Sequence, residues 1–427
     1  MQTRFPSISE YKASLERPAG LFRSIEIEEV CRDIYGEIEL RSGNSAAVFR
    51  IRTKDSKDRI MCLRCFRKGN PHLTAVYRYL SQCGSALISQ CRYYEQEMCV
   101  ASLSDAKFRY YDVALSPWVA GRTLWQCIVS AARHNDKDEL KRLALIFDGM
   151  CSQLLAEEWA HGDLKPENII ITPSSEARLI DYDAAYVPES GFDSTPEIGT
   201  PAYQHPLRTT DMYDKHIDDY PMMLLSANLH LIAAAPSLMT EGRENLPLDA
   251  QEIFGGDRTM LEEALRIFSE TADARCYRLC RMLLSRTPYI ENLKEFFTAA
   301  PENRNELHPI EKAGLWGYAD EKGNTVIAPL WDEAFDFTDR TAVVRLAGKY
   351  HMIDRRGKTV INGRGWECIK SAGAGYAAVK SGGKWGYVDM AGRRVTEIVY
   401  DKVRRIKDGR GEAIRDGKTV FIEFFER

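Results

Sequence analysis

The chain has 427 residues, 44% hydrophobic and 28% charged, with a formal net charge of −4. That length exceeds one typical core and predicts two or three domains of ordinary globular composition, which excludes a disordered or fibrous chain. The charge is mildly negative before Pro301 and mildly positive after it, too weak an offset to imply nucleic acid as a partner.

From the start, "MQTRFPSISEYK" has no apolar core of the kind a secretory signal needs. The eleven cysteines are scattered and odd in number. Both features lead to the expectation of a reducing, cytoplasmic location. Residues 1–30 read as an N-terminal extension with one short helix, "SISEYKASL", that Ser7 or Ser9 could cap. Residues 31–115 read mostly as strands: "AAVFRI", "RIMCLRCF", "CRYYEQEMCV" and "FRYYDVAL" are aromatic or β-branched runs of strand length. The helical stretch "PHLTAVYRYLSQ" lies between the second and third of these. Cys62 and Cys65 form a C-x-x-C without a second pair, and read as two small apolar residues on a buried strand. Residues 122–300 read mostly as helices, as in "DELKRLALIFDGMCSQLLAEEWA" and "RTMLEEALRIFSE". The most apolar window, 220–239, carries Ser, Asn, His and two prolines, so it predicts a buried core helix and no membrane span. A β-rich segment followed by a helical one predicts a bilobed α+β unit with a cleft.

After a linker at 301–309, "PENRNELHP", the chain repeats itself. Gly314, Gly348, Gly383 and Gly417 recur at intervals of 34, 35 and 34 residues. Asp320, Asp354 and Asp389 recur with them, as do Gly323, Gly357 and Gly392. Each unit reads as strand, D-x-x-G turn, strand, loop and a further strand (Ala342–Arg345, Ala377–Lys380, Glu412–Arg415). "DGKTVFIEF" is a truncated fourth unit. Residues 310–427 therefore predict an all-β repeat domain whose units bury a shared face.

Chemistry concentrates in "HGDLKPENIII", 161–171, and in "DYDAA" from Asp181. A carboxylate can take a proton from a hydroxyl, an ammonium two residues on can neutralise a phosphoryl group, and a carboxamide with a second carboxylate can hold a divalent cation. Phosphoryl transfer needs those parts and little else. The run resembles the catalytic loop H-R-D-x-K-x-x-N of the protein kinase superfamily, with the lysine of the Ser/Thr pattern. The resemblance implies Asp163 as catalytic base and Lys165 as phosphate contact. Asn168 and Asp181 would be the Mg²⁺ ligands, with "DYD" at the D-F-G position. "GTPAYQHP" is similar to the end of an activation segment, with Thr200 bonding near Asp163 and Lys165. "DDYP" would open the central helix, with Asp219 as the buried carboxylate bracing the catalytic loop. "LSPWVAGRTL" resembles the hinge, which makes Ser116 the gatekeeper and puts Pro117, Trp118 and Val119 against adenine. Gly43, Val48, Cys62 and Arg64 complete the implied ATP site. The implied layout is a β-rich N-lobe at 31–115, a hinge at 116–121 and a helical C-lobe at 122–300.

The departures are definite. "RSGNSAAV", 41–48, keeps one glycine of three, and Arg64 takes the place of the strand-three lysine, with Lys68 as an alternative. No Asp or Glu occurs from Cys65 through Tyr94, so the helix before the third strand offers Arg64 no carboxylate. An otherwise unpaired cation implies that nucleotide phosphates are its main counter-anion. Gly162 replaces the arginine of H-R-D, Asp183 the glycine of D-F-G, and Leu207 the glutamate of A-P-E. Two functions follow from the resemblance. One is an atypical, bacterial-looking Ser/Thr kinase using Mg-ATP on a protein substrate. The other is a pseudokinase that binds nucleotide or acts as a scaffold. The repeats resemble WG repeats, named for the pair seen at Trp316–Gly317 and Trp385–Gly386, with Tyr350–His351 departing. They imply a protein-interaction module in which Trp316, Tyr350 and Trp385 are expected in the core of each unit, the alternative being an exposed aromatic stripe that binds a partner.

Overall fold

Ser7 opens the first helix, α1 (Ile8–Leu15), through a reciprocal capping box with Glu10. α1 is part of the first core: Tyr11 and Leu15 are fully buried, and the Tyr11 hydroxyl donates to the Phe66 carbonyl at 2.6 Å. The computed structural model describes residues 4–297 and 307–424 except 44–45, 57–58, 70–71, 104, 106, 189, 196, 241, 339 and 408. Most of the expected linker, 301–306, lies outside the described residues.

The chain divides into two compact units. The first comprises residues 1–251 and 286–291, and the second 252–285 and 292–427. The first unit opens with an antiparallel sheet built from β1 (Ile27–Val30), β2 (Leu40–Ser42), β3 (Ala46–Thr53) and β4 (Met61–Phe66). After α2 (Leu73–Leu80) it continues through β5 (Arg92–Ala101) and β6 (Phe108–Pro117). The strand order is β1-β3-β4-β6-β5, with β2 also on β3, so the sheet starts within the stretch taken above as an extension. Alternation sorts its side chains. Phe49, Ile51, Leu63, Cys65, Val113 and Leu115 face the core that α1 joins. Val48, Arg50, Cys62, Arg64, Ala114 and Ser116 share the other face, since Val48 and Ala114 lie opposite Arg64, and Arg50 and Ser116 opposite Cys62.

The rest of this unit is helical apart from one small sheet. β7 (Arg122–Thr123) leads into α3 (Leu124–Arg133) and α4 (Lys137–Leu154). β8 (Ile169–Ile171) and β9 (Ala177–Leu179) pair behind the polar loop, and α5 (Asp219–Ala234) follows. α5 is buried on nearly every side, which fits its all-round apolar sequence. Among the described residues no helix is long and apolar enough to cross a membrane, and the cysteines form no disulfide.

α6 (Ala250–Gly255) spans the boundary between the units. α7 (Thr259–Thr271), α8 (Ala274–Met282) and α9 (Leu293–Phe297) belong to the second unit, although the sequence places them with the helical lobe. There α8 packs on the first repeat. Arg278 Nε donates to the Leu330 carbonyl at 2.8 Å, and Arg278 Nη2 bonds Asp332. Thr359 and Asn362 of the next repeat donate to the carbonyls of Ala272 and Glu270.

The repeats form four small antiparallel sheets. The first contains β10 (His308–Lys312), β11 (Leu315–Ala319) and β12 (Thr325–Trp331). The second contains β13 (Glu333–Ala334), β14 (Thr341–Leu346), β15 (Lys349–Asp354) and β16 (Thr359–Ile361). The third contains β17 (Cys368–Gly373), β18 (Tyr376–Ser381) and β19 (Lys384–Asp389). The last contains β20 (Lys402–Val403), β21 (Arg410–Arg415) and β22 (Lys418–Glu423). The expected D-x-x-G turns are all present. In each, the Asp side chain accepts two backbone N–H groups, and the glycine sits at φ near +80° (Gly323 +81°, Gly357 +78°, Gly392 +73°). The sheets are offset from the sequence units: β14 ends one unit and pairs with β15 of the next. Likewise β22, the truncated unit, completes the last sheet by pairing with β21.

One expectation holds only in part. Trp316 and Trp385 pack against the buried clusters of the repeats, yet they and Tyr350 are only half-buried, whereas Tyr318, Met352 and Tyr387, two residues on, are fully buried. Trp316 and Trp385 sit close to the tight turn of each hairpin, where the sheet gives least cover. The glycine beside each tryptophan has a steric cause. A Cβ on Gly317 would lie 2.4 Å from the Ile327 carbonyl oxygen, and one on Gly386 2.6 Å from that of Glu397. The second unit exchanges this arrangement: His351 fills the glycine position, and Gly363 on the facing side comes so close to Tyr350 that a Cβ would meet its carbonyl at 1.6 Å.

His351 is 1% exposed, and its Nδ1 accepts from Gly363 N at 3.1 Å. Burial pushes its pKa down from 6.5 to about 4. The folded protein thus keeps it neutral while the unfolded chain takes up a proton below pH 6.5. Its stabilising contribution is complete above that value and is lost as pH falls toward 4, an effect on the order of 3 kcal/mol. Urea unfolding at pH 7 and pH 5 should show a larger acid loss for wild type than for His351→Asn. Equal losses in the two proteins would refute the assignment.

Candidate functional site

The polar loop after α4 is held from beneath by a buried carboxylate. Asp218, fully buried, accepts the backbone N–H of His161 and that of Gly162 at 2.9 Å. This corrects the assignment of the brace to Asp219, which instead accepts Ile290 N at 3.1 Å and bonds His216. Burial raises the pKa of both carboxyls. The ring of His161 bonds the Ile180 carbonyl through Nε2 at 2.8 Å and accepts Asp163 N at Nδ1. That pattern requires a neutral imidazole with its proton on Nε2.

Asp163, Lys165, Asn168 and Thr200 meet around one carboxylate. Thr200 N donates to Asp163 Oδ1 at 2.7 Å, and Lys165 Nζ lies 2.8 Å from Asp163 Oδ2 and donates to Thr200 Oγ1 at 2.9 Å. The Thr200 contacts implied by the resemblance are therefore present. Asn168 Nδ2 donates to the Asp163 carbonyl at 3.0 Å and to Oδ2 at 3.2 Å. Its amide nitrogen is committed to Asp163, so Oδ1 is the atom it can offer a cation. Burial alone would raise the Asp163 pKa, but Lys165 and the other donors outweigh it and lower the value. The carboxylate is ionised at neutral pH and can only accept.

The second cluster overturns an expectation. Arg64 is not an unpaired cation, because Nη2 donates to Asp181 Oδ1 at 2.6 Å and to Asp183 Oδ2 at 2.7 Å. Burial works against the charge, but the two carboxylates outweigh it and hold the guanidinium well above its ordinary pKa. Nucleotide phosphates are thus not its main counter-anion. Asp181 has φ +67°, in the left-handed region, a conformation that costs an ordinary residue roughly 1–2 kcal/mol. Ile180 N donates to the Asn168 carbonyl at 3.0 Å, which ties this strand end to the loop. Lys68, the alternative to Arg64, instead pairs with Glu197 near the surface.

The remaining positions fall along the polar face of the sheet. Cys62 lies across from Ser116, and Val48 across from Arg64. Gly43 closes the β2–β3 hairpin, with its carbonyl accepting from Arg67 at 2.8 Å. Trp118, two residues after Ser116, stacks under Arg50 at 4.9 Å; with Val48, Leu40 and Arg41 it lines a cavity of about 310 Å³. Val119 comes next in the segment before β7 and is half-buried.

Three contributors escape a sequence reading. Tyr77 is buried on α2, and its environment includes the charges of Arg64, Asp181 and Asp183. Asp183 is named above only as a lost glycine. Arg208, 4% exposed, donates to the Gly162 carbonyl at 2.8 Å and to Gln204 at 2.6 Å. Gly162 itself has φ +80°, and a Cβ there would lie 2.1 Å from the Ala184 carbonyl oxygen. This backbone cannot take the arginine of H-R-D, and Arg208 bonds the loop from the other side.

A family model described as WG containing repeat matches residues 316–350 and 385–418. The matched stretches are the first and third units of the array, so the WG repeat reading stands for the C-terminal region. Between them the departing second unit keeps the same turns with its glycine moved to Gly363. WG repeats suggest a protein-interaction module. No curated protein matches the chain.

Proposed function

We propose that the first unit transfers the γ-phosphoryl of Mg-ATP to a Ser or Thr hydroxyl of a protein, and that the WG repeats bind the protein partner. One observation carries this reading: Asp163, Lys165, Asn168 and Thr200 are bonded to one another around a single ionised carboxylate. That is the equipment phosphoryl transfer requires, since positioning and charge neutralisation supply most of the catalysis. In this reading Asp163 receives the hydroxyl proton, and Lys165 and Arg64 meet phosphate oxygens. Asn168 Oδ1 and Asp181 would hold Mg²⁺, which when bound neutralises the phosphates. The donor set fits a hard cation, being all oxygen, and Asp181 gives up one Arg64 contact to serve it. The adenine would lie along Val48, Cys62, Ser116, Trp118 and Val119 below the Gly43 hairpin. The second reading, a nucleotide-binding or scaffolding pseudokinase, is favoured by one observation, the Arg64–Asp181 bond that engages the metal carboxylate.

The test is calorimetric titration of the full chain with ATP, with and without Mg²⁺, followed by radiolabel transfer. Wild type should bind Mg-ATP and label protein. Asp181→Asn should abolish Mg²⁺-dependent binding while leaving the thermal midpoint nearly unchanged, because Arg64 retains Asp183. Unaltered Mg-ATP affinity in Asp181→Asn would sink the metal assignment. Nucleotide binding with no transfer on any protein substrate would leave the pseudokinase reading.

A further inference from the structure

One guanidinium nitrogen serves two carboxylates that stand in very different surroundings. The Asp183 side chain is 6% exposed and that of Asp181 is 41% exposed. Asp181 can turn to solvent or to a cation at little cost; Asp183 cannot, since drawing a buried carboxylate away from its cation is costly. α2 contributes Tyr77 and no acid to these surroundings. Arg64 Nε is buried without a hydrogen-bond partner among the described residues, so the guanidinium has donor capacity that neither aspartate uses.

We propose that Asp183 is the positioning residue for Arg64, doing from the turn four residues past β9 what a carboxylate on α2 would do. It holds the guanidinium on the polar face of the sheet, aimed at phosphate, and so releases Asp181 to a divalent cation. The glycine-to-aspartate change after "DY" and the absence of acid from Cys65 to Tyr94 then form one compensated exchange. This inference rests on the phosphotransfer reading for its ligand, though not for the Arg64–Asp183 anchor itself.

The experiment uses the full chain and Mg-ADP as probe. Asp183→Asn should weaken Mg-ADP by about tenfold or more, as expected for loss of a charge-assisted contact that orients the cation. Moving the carboxylate to the helix, with Tyr77→Glu and Asp183→Gly together, should restore affinity to within about threefold of wild type. A merely structural role for Asp183 would not be rescued in this way. Wild-type Mg-ADP affinity in Asp183→Asn overturns the proposal. A thermal cycle on Arg64→Met and Asp183→Asn reads the anchor separately: strong non-additivity is expected, and additive midpoint shifts would overturn it even in a protein that binds nucleotide. If wild type binds no Mg-ADP, the phosphotransfer reading falls, and the thermal cycle alone decides the anchor.

Discussion

Asp218→Ala should be among the most damaging single substitutions in this protein, lowering stability by about 3–5 kcal/mol. The carboxylate is fully buried and accepts two successive backbone N–H groups, those of His161 and Gly162. Removing it strands both donors at the root of the polar loop, each a cost of about 1–3 kcal/mol. It also removes a carboxylate that favours the charge of buried Arg208, which burial itself disfavours. Against a typical total of about 5–15 kcal/mol, much of the first unit's stability would be lost. Asp218→Asn keeps one acceptor and should cost less. The informative comparison is with Asp219→Asn, because Asp219 bonds Ile290 N and His216 and leaves the loop alone. Urea unfolding of the three variants checks this, and a larger loss in Asp219→Asn than in Asp218→Asn would reassign the brace.

On the proposed phosphotransfer function, Asp163→Asn should reduce phosphoryl transfer by about a thousandfold, within the span usually seen for a lost general base. Nucleotide affinity should stay within about threefold, because the substitution touches none of the proposed adenine positions. The variant should also be less stable by roughly 1–3 kcal/mol, because three donors converge on this carboxylate. With its oxygen toward Thr200 N, the new carboxamide would set an NH₂ against Lys165 Nζ and Asn168 Nδ2. The pH dependence follows in sign. Asp163 has a lowered pKa, so its contribution is complete above the unfolded value of 3.8 and is lost as pH falls through the folded one. Single-turnover transfer and thermal unfolding together check both halves. Transfer at the wild-type rate would remove Asp163 from the reaction, whatever the stability result.

The turns of the repeats were legible because a type of residue recurs where only that type fits: glycine at positive φ, aspartate capping two N–H groups. The polar cluster was legible because its members lie within eight residues of one another, and Thr200 joins through a recognisable segment. What was hidden depended on distance or phase. Arg64 and Asp183 are 119 residues apart, so a sequence shows a missing glycine and a missing glutamate without showing that the two changes meet. Asp218 and Asp219 are adjacent acids at a helix start, and only the angular phase of α5 decides which one faces the loop. Trp316 and Tyr318 differ by their place along the strand, and the pairing of β11 with β12 shifts register between them. A pattern of alternation cannot foresee that shift.

The fate of α7 and α8 bears on how this gene product can be dissected. The two compact units interleave along the chain: residues 286–291 belong with the first, while 252–285 belong with the second. No single stop codon separates them. A truncation near residue 300, the natural choice for asking whether the tail restrains the proposed activity, would take Leu330, Asp332, Thr359 and Asn362 away from α7 and α8 and leave the Arg278 guanidinium, now 9% exposed, facing solvent. A truncation after Gln251 would instead remove Ile290, whose N–H bonds Asp219. In either shortened protein a changed rate would report a damaged scaffold and could be mistaken for relief of inhibition. Point substitutions on the repeats, in the intact chain, are free of that confusion.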